Sequence, residues 1–145
     1  MVDDFDFEFL SKFDWSNMGG YAARLEKGVR IWMHRVIMNL PPFPKRRRDA
    51  QYVDHINFDK LDNRKKNLRV CSPQQNACHR RNPNNTSGYR GVTWSKQMKM
   101  WQVSIVVNWK SISLGLYKNK KEAAKVYNEA AQKYHGDFAV LNKIK

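Results

Sequence analysis

Two hydrophobic periods run through the chain, one of two residues and one of three to four, and they predict a series of short elements. Tyr21, Ala23 and Leu25 alternate with polar neighbours, Glu26-Lys27-Gly28 turns the chain, and Val29 and Ile31 resume the alternation. That pattern predicts a β-hairpin. Trp32 to Leu40 reads as a short helix stopped by Pro41-Pro42. Tyr52 to Ile56 and Leu68 to Val70 are short strand candidates. Ser72-Pro73-Gln74-Gln75 is a helix start, with Ser72 as cap, Pro73 in the first helical position and Gln75 where a capping box wants it. This helix is expected to run to about Arg81, with Asn76, His79 and Arg80 on one face.

Beyond it the pattern stops at Asn82-Pro83-Asn84-Asn85-Thr86-Ser87-Gly88, a polar run of turn formers. It then resumes in three strands and a helix. Trp101, Val103, Ile105 and Val107 face one way, and Gln102, Ser104, Val106 and Asn108 the other. Ile112, Leu114 and Leu116 alternate with Ser111, Ser113 and Gly115, while Tyr89 to Ser95 alternates poorly. From about Lys121 to Tyr134 an apolar stripe of Ala123, Tyr127, Ala130, Ala131 and Tyr134 predicts a helix on that sheet, ended by Gly136. The expected organisation is an acidic segment 1–14, a first domain 15–82, a linker 83–87 and a second domain 88–145, in an α+β chain.

Composition adds a partner class. Lys and Arg number 27 against 13 Asp and Glu, for a formal charge of +14 on 145 residues. Residues 1–14 hold five acids against Lys12, so the rest of the chain is more basic still. Such an excess predicts a polyanionic partner. No apolar run approaches the roughly 20 residues of a membrane span, and the acidic start lacks the features of a signal peptide. An intracellular protein with no membrane partner is the expectation. Cys71 and Cys78 lack paired knuckle spacing, so reduced thiols are expected and zinc is disfavoured. The run Lys45-Arg46-Arg47-Arg48 reads as a phosphate-gripping or solvated loop.

The dense chemical constellation is Asp54-His55, then Asn63, Asn67 and Asn76, with His79 beyond. Asp54 is a hard oxygen ligand suited to Mg²⁺ or Mn²⁺. Asn76 can offer a second, neutral oxygen, and a neutral His55 can take a proton from water attacking phosphorus. A lone Asp-His pair would more often be structural, so the case depends on the ordered asparagines and the capped helix that follow. His34 and His135 read as packing or capping residues.

Val53-Asp54-His55-Ile56-Asn57, Leu61-Asp62-Asn63-Arg64, Asn67-Leu68-Arg69-Val70 and Asn76 together resemble the HNH nucleases of the phage and homing branch, and Met33-His34-Arg35 fits that branch's upstream element. The resemblance covers roughly residues 19–82. It implies a small ββα-metal core with one divalent cation, Mg²⁺ or Mn²⁺. By position it makes His55 the general base, Asp54 and Asn76 the metal ligands, and Asn67 the residue that braces the loop and orients His55. Asn76 stands where the name-giving pattern has a second His, as in many homing-type members; His79, one turn later, reads as a phosphate contact or bystander, with substitute ligation as its alternative role.

Gly88-Tyr89-Arg90-Gly91-Val92-Thr93-Trp94, Trp101-Gln102-Val103-Ser104-Ile105, Leu114-Gly115-Leu116-Tyr117, Tyr127-Asn128-Glu129-Ala130-Ala131 and the stretch His135 to Asn142 are similar to AP2 DNA-binding domains. That resemblance implies a three-stranded antiparallel sheet that reads double-stranded DNA, with one helix packed behind it. It assigns Arg90, Thr93, Trp94, Lys96, Gln102, Ser104, Ser111 and Ser113 to DNA. Trp94 has packing under the hairpin as its competing role. The sequence thus points to a metal-dependent DNA endonuclease of phage or mobile-element type, for which a monomer suffices to nick. A non-catalytic DNA-binding regulator and a structural RNA-binding protein are the competing classes.

Overall fold

The computed structural model describes residues 1–42, 50–79 and 86–144. The basic run 45–48, Arg80, Arg81 and linker positions 83–85 lie outside the described residues. The chain divides into two compact units, Met1–Pro73 and Gln74–Lys145. Each is a mixture of short strands and helices, compatible with an α+β class.

The first unit begins with helix α1 (Asp4–Leu10), an element that the alternation of acids and phenylalanines concealed. Leu10 is buried, and its carbonyl accepts the Trp15 indole N–H at 2.8 Å. The Arg24 guanidinium stacks 3.7 Å above the Phe13 ring. Strands β1 (Ser16–Met18), β2 (Tyr21–Glu26) and β3 (Val29–Trp32) form an antiparallel sheet in that order. The hairpin turns through Lys27 and Gly28, both at positive φ, the geometry that matches the twist of the flanking strands. Helix α2 (Met33–Ile37) is shorter than the apolar pattern suggests. Asn39 adopts φ +52°, and the Leu40 N–H returns to the Arg35 carbonyl at 2.8 Å. A left-handed residue therefore ends the helix before the prolines are reached.

Strands β4 (Tyr52–His55) and β5 (Leu68–Cys71) pair antiparallel, with Asp54 opposite Arg69 and His55 opposite Leu68. A 3-10 turn, Lys65–Asn67, leads into β5. Helix α3 (Pro73–Cys78) follows, and from Gln74 onward it is grouped with the second unit.

In the second unit β6 (Val92–Ser95), β7 (Met100–Val107) and β8 (Lys110–Tyr117) form an antiparallel sheet, and α4 (Lys120–His135) packs on one side of it. Asn119 caps α4, its side-chain oxygen accepting the Lys121 N–H at 2.8 Å and the Glu122 N–H at 3.3 Å. Val92, Val103 and Ile105 bury against Ala123, Ala124, Tyr127, Ala130 and Ala131. The alanines leave room for the helix to approach, and Tyr127 of that helix lies hard against Gly91. A Cβ there would overlap the Tyr127 ring and stand 2.7 Å from the Ser104 carbonyl.

Candidate active site

His55 ends β4 and is 5% exposed. The loop from Ile56 to Arg64 folds around it because its asparagines and aspartates satisfy one another. Asn67 braces it from below: its Oδ1 accepts the Asn57 N–H at 2.9 Å, and its Nδ2 donates to the Asp62 carbonyl at 2.7 Å. The Ile56 N–H donates to the Asn67 carbonyl at 2.9 Å. Arg64 grips both carboxylate oxygens of Asp62 at 2.7 Å, through Nε and NH2. That fork holds the buried Asp62 carboxyl well below the usual carboxylate range.

Among the described residues the side chain in hydrogen-bonding reach of His55 is Asn63, whereas the expectation gave Asn67 both the bracing and the orienting role. Asn63 Oδ1 stands 3.3 Å from His55 Nε2, and its Nδ2 donates to the Leu61 carbonyl at 3.2 Å. The second contact fixes which end of the amide faces the imidazole. With Oδ1 as acceptor, Nε2 carries the hydrogen and Nδ1 keeps the basic lone pair. Asn63 belongs to the Leu61-Asp62-Asn63-Arg64 motif, so its presence was legible and its partner was not.

Aromatic rings wall the imidazole. Tyr21 and His34 lie with centroids 6.0 and 5.3 Å from it, and His34 stacks on Trp32 at 6.1 Å. Burial lowers the His55 pKa, against the opposing pull of Asn63 and of the carboxylates of Asp54, Asp59 and Asp62. His34 is pulled down to about 3, chiefly by burial and then by His55 and Arg35. Both rings are therefore neutral near pH 7.

Asp54 is also buried, and Arg69 across the ladder reaches its Oδ2 at 2.8 Å through both Nε and NH2. Asn76 is half-buried on α3, and His79 is buried just beyond that helix. Among the described residues no three His, Cys, Asp or Glu side chains cluster as a metal cage. A carboxylate and an amide are hard oxygen donors. They suit a cation that keeps water and substrate oxygens in its shell, as Mg²⁺ does. Cys71 and Cys78 are buried free thiols; burial pushes Cys71 up to about 12 and raises Cys78 as well, so both stay protonated.

The HNH endonuclease family model matches residues 49–78, the stretch that holds β4, the loop, β5 and α3. An HNH endonuclease of Acanthamoeba polyphaga mimivirus is 32% identical over 136 residues, covering 93% of this chain and 70% of that protein. The chain belongs to the HNH endonuclease family. This HNH endonuclease is also similar to protein 3.8 of Escherichia phage T7, 31% identical over 99 residues, 68% of the chain and 78% of the relative. No solved structure matches it. As an HNH endonuclease the chain is a nuclease, and its family match contains Asp54, His55, Asn63, Asn67 and Asn76.

The residues expected to touch DNA separate into two groups. Thr93 opposes Gln102, Ser104 opposes Ser113, and Val106 opposes Ser111. These rows alternate with the buried row of Val92, Val103 and Ile105, so they lie on the sheet face away from α4. Lys96 is exposed just beyond β6. Trp94 shares the parity of Val92 and meets Trp101 edge to face at 4.9 Å, which places it on the helix side at the sheet's end. Arg90 is directed elsewhere too. Its Nε donates to the Tyr127 hydroxyl at 2.9 Å and its NH2 to the Cys78 carbonyl at 2.6 Å.

Proposed function

We propose that the chain is a metal-dependent endonuclease acting on double-stranded DNA, of the homing type found in phages and mobile elements. One observation carries the reading: His55 is buried, its pKa is lowered by that burial, and its Nε2 stands 3.3 Å from Asn63 Oδ1, which leaves the lone pair on Nδ1.

His55 Nδ1 takes the proton of the attacking water. Asn63 fixes the tautomer, and the rings of Tyr21 and His34 restrict how far the imidazole turns. Asn67 keeps the loop closed so that Asn63 stays in place. Asp54 and, by the family resemblance, Asn76 would hold one divalent cation, Mg²⁺ or Mn²⁺. When bound, that cation supplies charge stabilisation at the scissile phosphate and the leaving oxygen.

The second unit serves as the reader, in the manner of an AP2-type sheet. Supporting this are the uncovered face of Thr93, Gln102, Ser104, Ser111 and Ser113, and the 11 basic against 3 acidic residues over 88–145. Short hydroxyls and one amide can reach base edges, while Lys96, Lys99 and Lys110 neutralise phosphates. Arg90 and Trp94, placed as they are, organise the unit rather than its outer face. The virus and phage origins of the relatives support a mobile, phage-type setting.

The test is cleavage of supercoiled plasmid by full-length protein with Mg²⁺ or Mn²⁺, with and without chelator. Metal-dependent nicking is expected. Plasmid that stays intact in both metals, or is cut equally in chelator, contradicts the reading.

A further inference from the structure

We infer that the N-terminal segment Met1–Asp6 is a positioning strap for the nuclease loop, with Asp3 as a positioning residue that acts on His55 through the 3-10 turn and Asn63. The inference rests on the assignment of His55 as the base and adds a part of the chain to which the reading above gives no role.

Three contacts carry it, all within the first unit. Asp3 occupies the N-cap position of α1, yet its side chain makes no cap bond to its own helix. Instead Asp3 Oδ2 accepts the backbone N–H of Lys65 at 2.6 Å. Lys65 is the first residue of the 3-10 turn that ends in Asn67. An aspartate 62 positions away thus supplies the cap that the turn's own flank lacks, since Arg64 makes none. The second contact is the backbone of Met1, whose carbonyl accepts the Asn63 N–H at 2.8 Å. The third is at the Lys65 side chain, where Nζ pairs with Asp6 at 3.3 Å and lies 5.2 Å over the Phe5 ring.

The strap therefore takes hold of the loop at one functional residue, Asn63, and at the start of the turn that carries a second, Asn67. Asn63, bound at its backbone by Met1, is the residue whose Oδ1 meets His55 Nε2. Asn67, at the end of the capped turn, is the residue whose amide closes the loop on Asn57 and Asp62. The Asn67 side chain braces the loop from within, and the strap holds its backbone N–H groups at Asn63 and Lys65 through the Met1 carbonyl and the Asp3 carboxylate. Because Asn63 is 1% exposed, it has no slack in which to find His55 again if its backbone moves. A shift well below an ångström in such a contact is enough to reduce a rate.

The experiment compares wild type, Asp3→Ala and Asp3→Asn as full-length chains. Amide exchange and ¹⁵N spectra of the His55 ring are read without metal, and single-turnover cleavage with it. In Asp3→Ala the Lys65 and Asn63 amides are expected to exchange about fivefold faster or more. The His55 ring signals move, and the cleavage rate falls about fivefold with DNA affinity unchanged. Asp3→Asn, whose amide oxygen still accepts, restores most of each. If Asp3→Ala fails to fold, Asp6→Asn loosens the grip on Lys65 and gives the same readouts at smaller amplitude. A folded Asp3→Ala with a deprotected Lys65 amide, unmoved His55 signals and an unchanged rate overturns the strap. Moved His55 signals with an unchanged rate support the strap and overturn the base assignment instead.

Discussion

Asn63 Oδ1 lies 3.3 Å from His55 Nε2, and Asn63 is fixed in that orientation by its own bond to the Leu61 carbonyl. The amide makes a good hydrogen-bond partner only to an imidazole protonated on Nε2. Asn63→Ala is therefore expected to lower the cleavage rate by about one to two orders of magnitude while leaving DNA affinity near wild type. Single-turnover rates and a binding isotherm on the same substrate check it.

Asn67 should behave differently because its work is structural. Its side chain satisfies the Asn57 N–H and the Asp62 carbonyl in a buried loop. Asn67→Ala leaves both without that partner, and a loss of about 2–4 kcal/mol is expected. Urea unfolding followed by tryptophan fluorescence reads this directly.

Stability should fall on acidification through His34. Its folded pKa is about 3 against 6.5 when unfolded, so between those values the unfolded chain binds the extra proton. The stabilisation is complete above about pH 6.5 and is lost as pH drops toward 3, by up to about tenfold in the folding constant per pH unit. His34→Phe removes that titration, and its stability curve should be flatter between pH 6 and 4. Urea midpoints measured across that range decide it.

The sequence singled out Asp54-His55 and the loop asparagines by their chemistry, and the structure brings His55, Asn63 and Asn67 together in one strand and loop. What was hidden is partner choice. Asn63 and Asn67 are the same residue type four apart, and only the folded loop shows which one reaches His55. The helix α1 was hidden because Asp3-Asp4-Phe5-Asp6-Phe7 alternates like a strand and forms a helix instead. In the second unit, period-two alternation separated Gln102 and Ser104 from Val103 and Ile105 correctly. Alternation gave least in two places: at the first strand Trp94 lies on the helix side and Arg90 turns to Tyr127 and Cys78, and in the third a register shift sets Leu116 opposite Gln102 instead of on the face of Ile112 and Leu114.

Gly91 has no room for a side chain. It sits at φ +71°, and a methyl group there would collide with Tyr127 and the Ser104 carbonyl. Gly91→Ala is expected to destabilise that unit by about 2 kcal/mol or more. Thermal unfolding by circular dichroism should show the lowered midpoint.

The proposed reading of DNA by the outer sheet face predicts different effects for two kinds of residue. Lys96→Ala should weaken binding to all sequences alike and reduce the salt slope by about one unit. Gln102→Ala should leave that slope unchanged and relax sequence preference. Binding isotherms across a salt series, repeated on selected and scrambled duplexes, distinguish the two.

The central claim is that His55 is the base of a metal-dependent DNA cleavage. The most direct measurement is nicking of supercoiled plasmid by wild type and His55→Ala side by side, with Mg²⁺ or Mn²⁺ present and both proteins shown to be folded. Wild type should relax the plasmid, and His55→Ala should be slower by about two orders of magnitude or more. A folded His55→Ala that nicks at the wild-type rate would contradict the account.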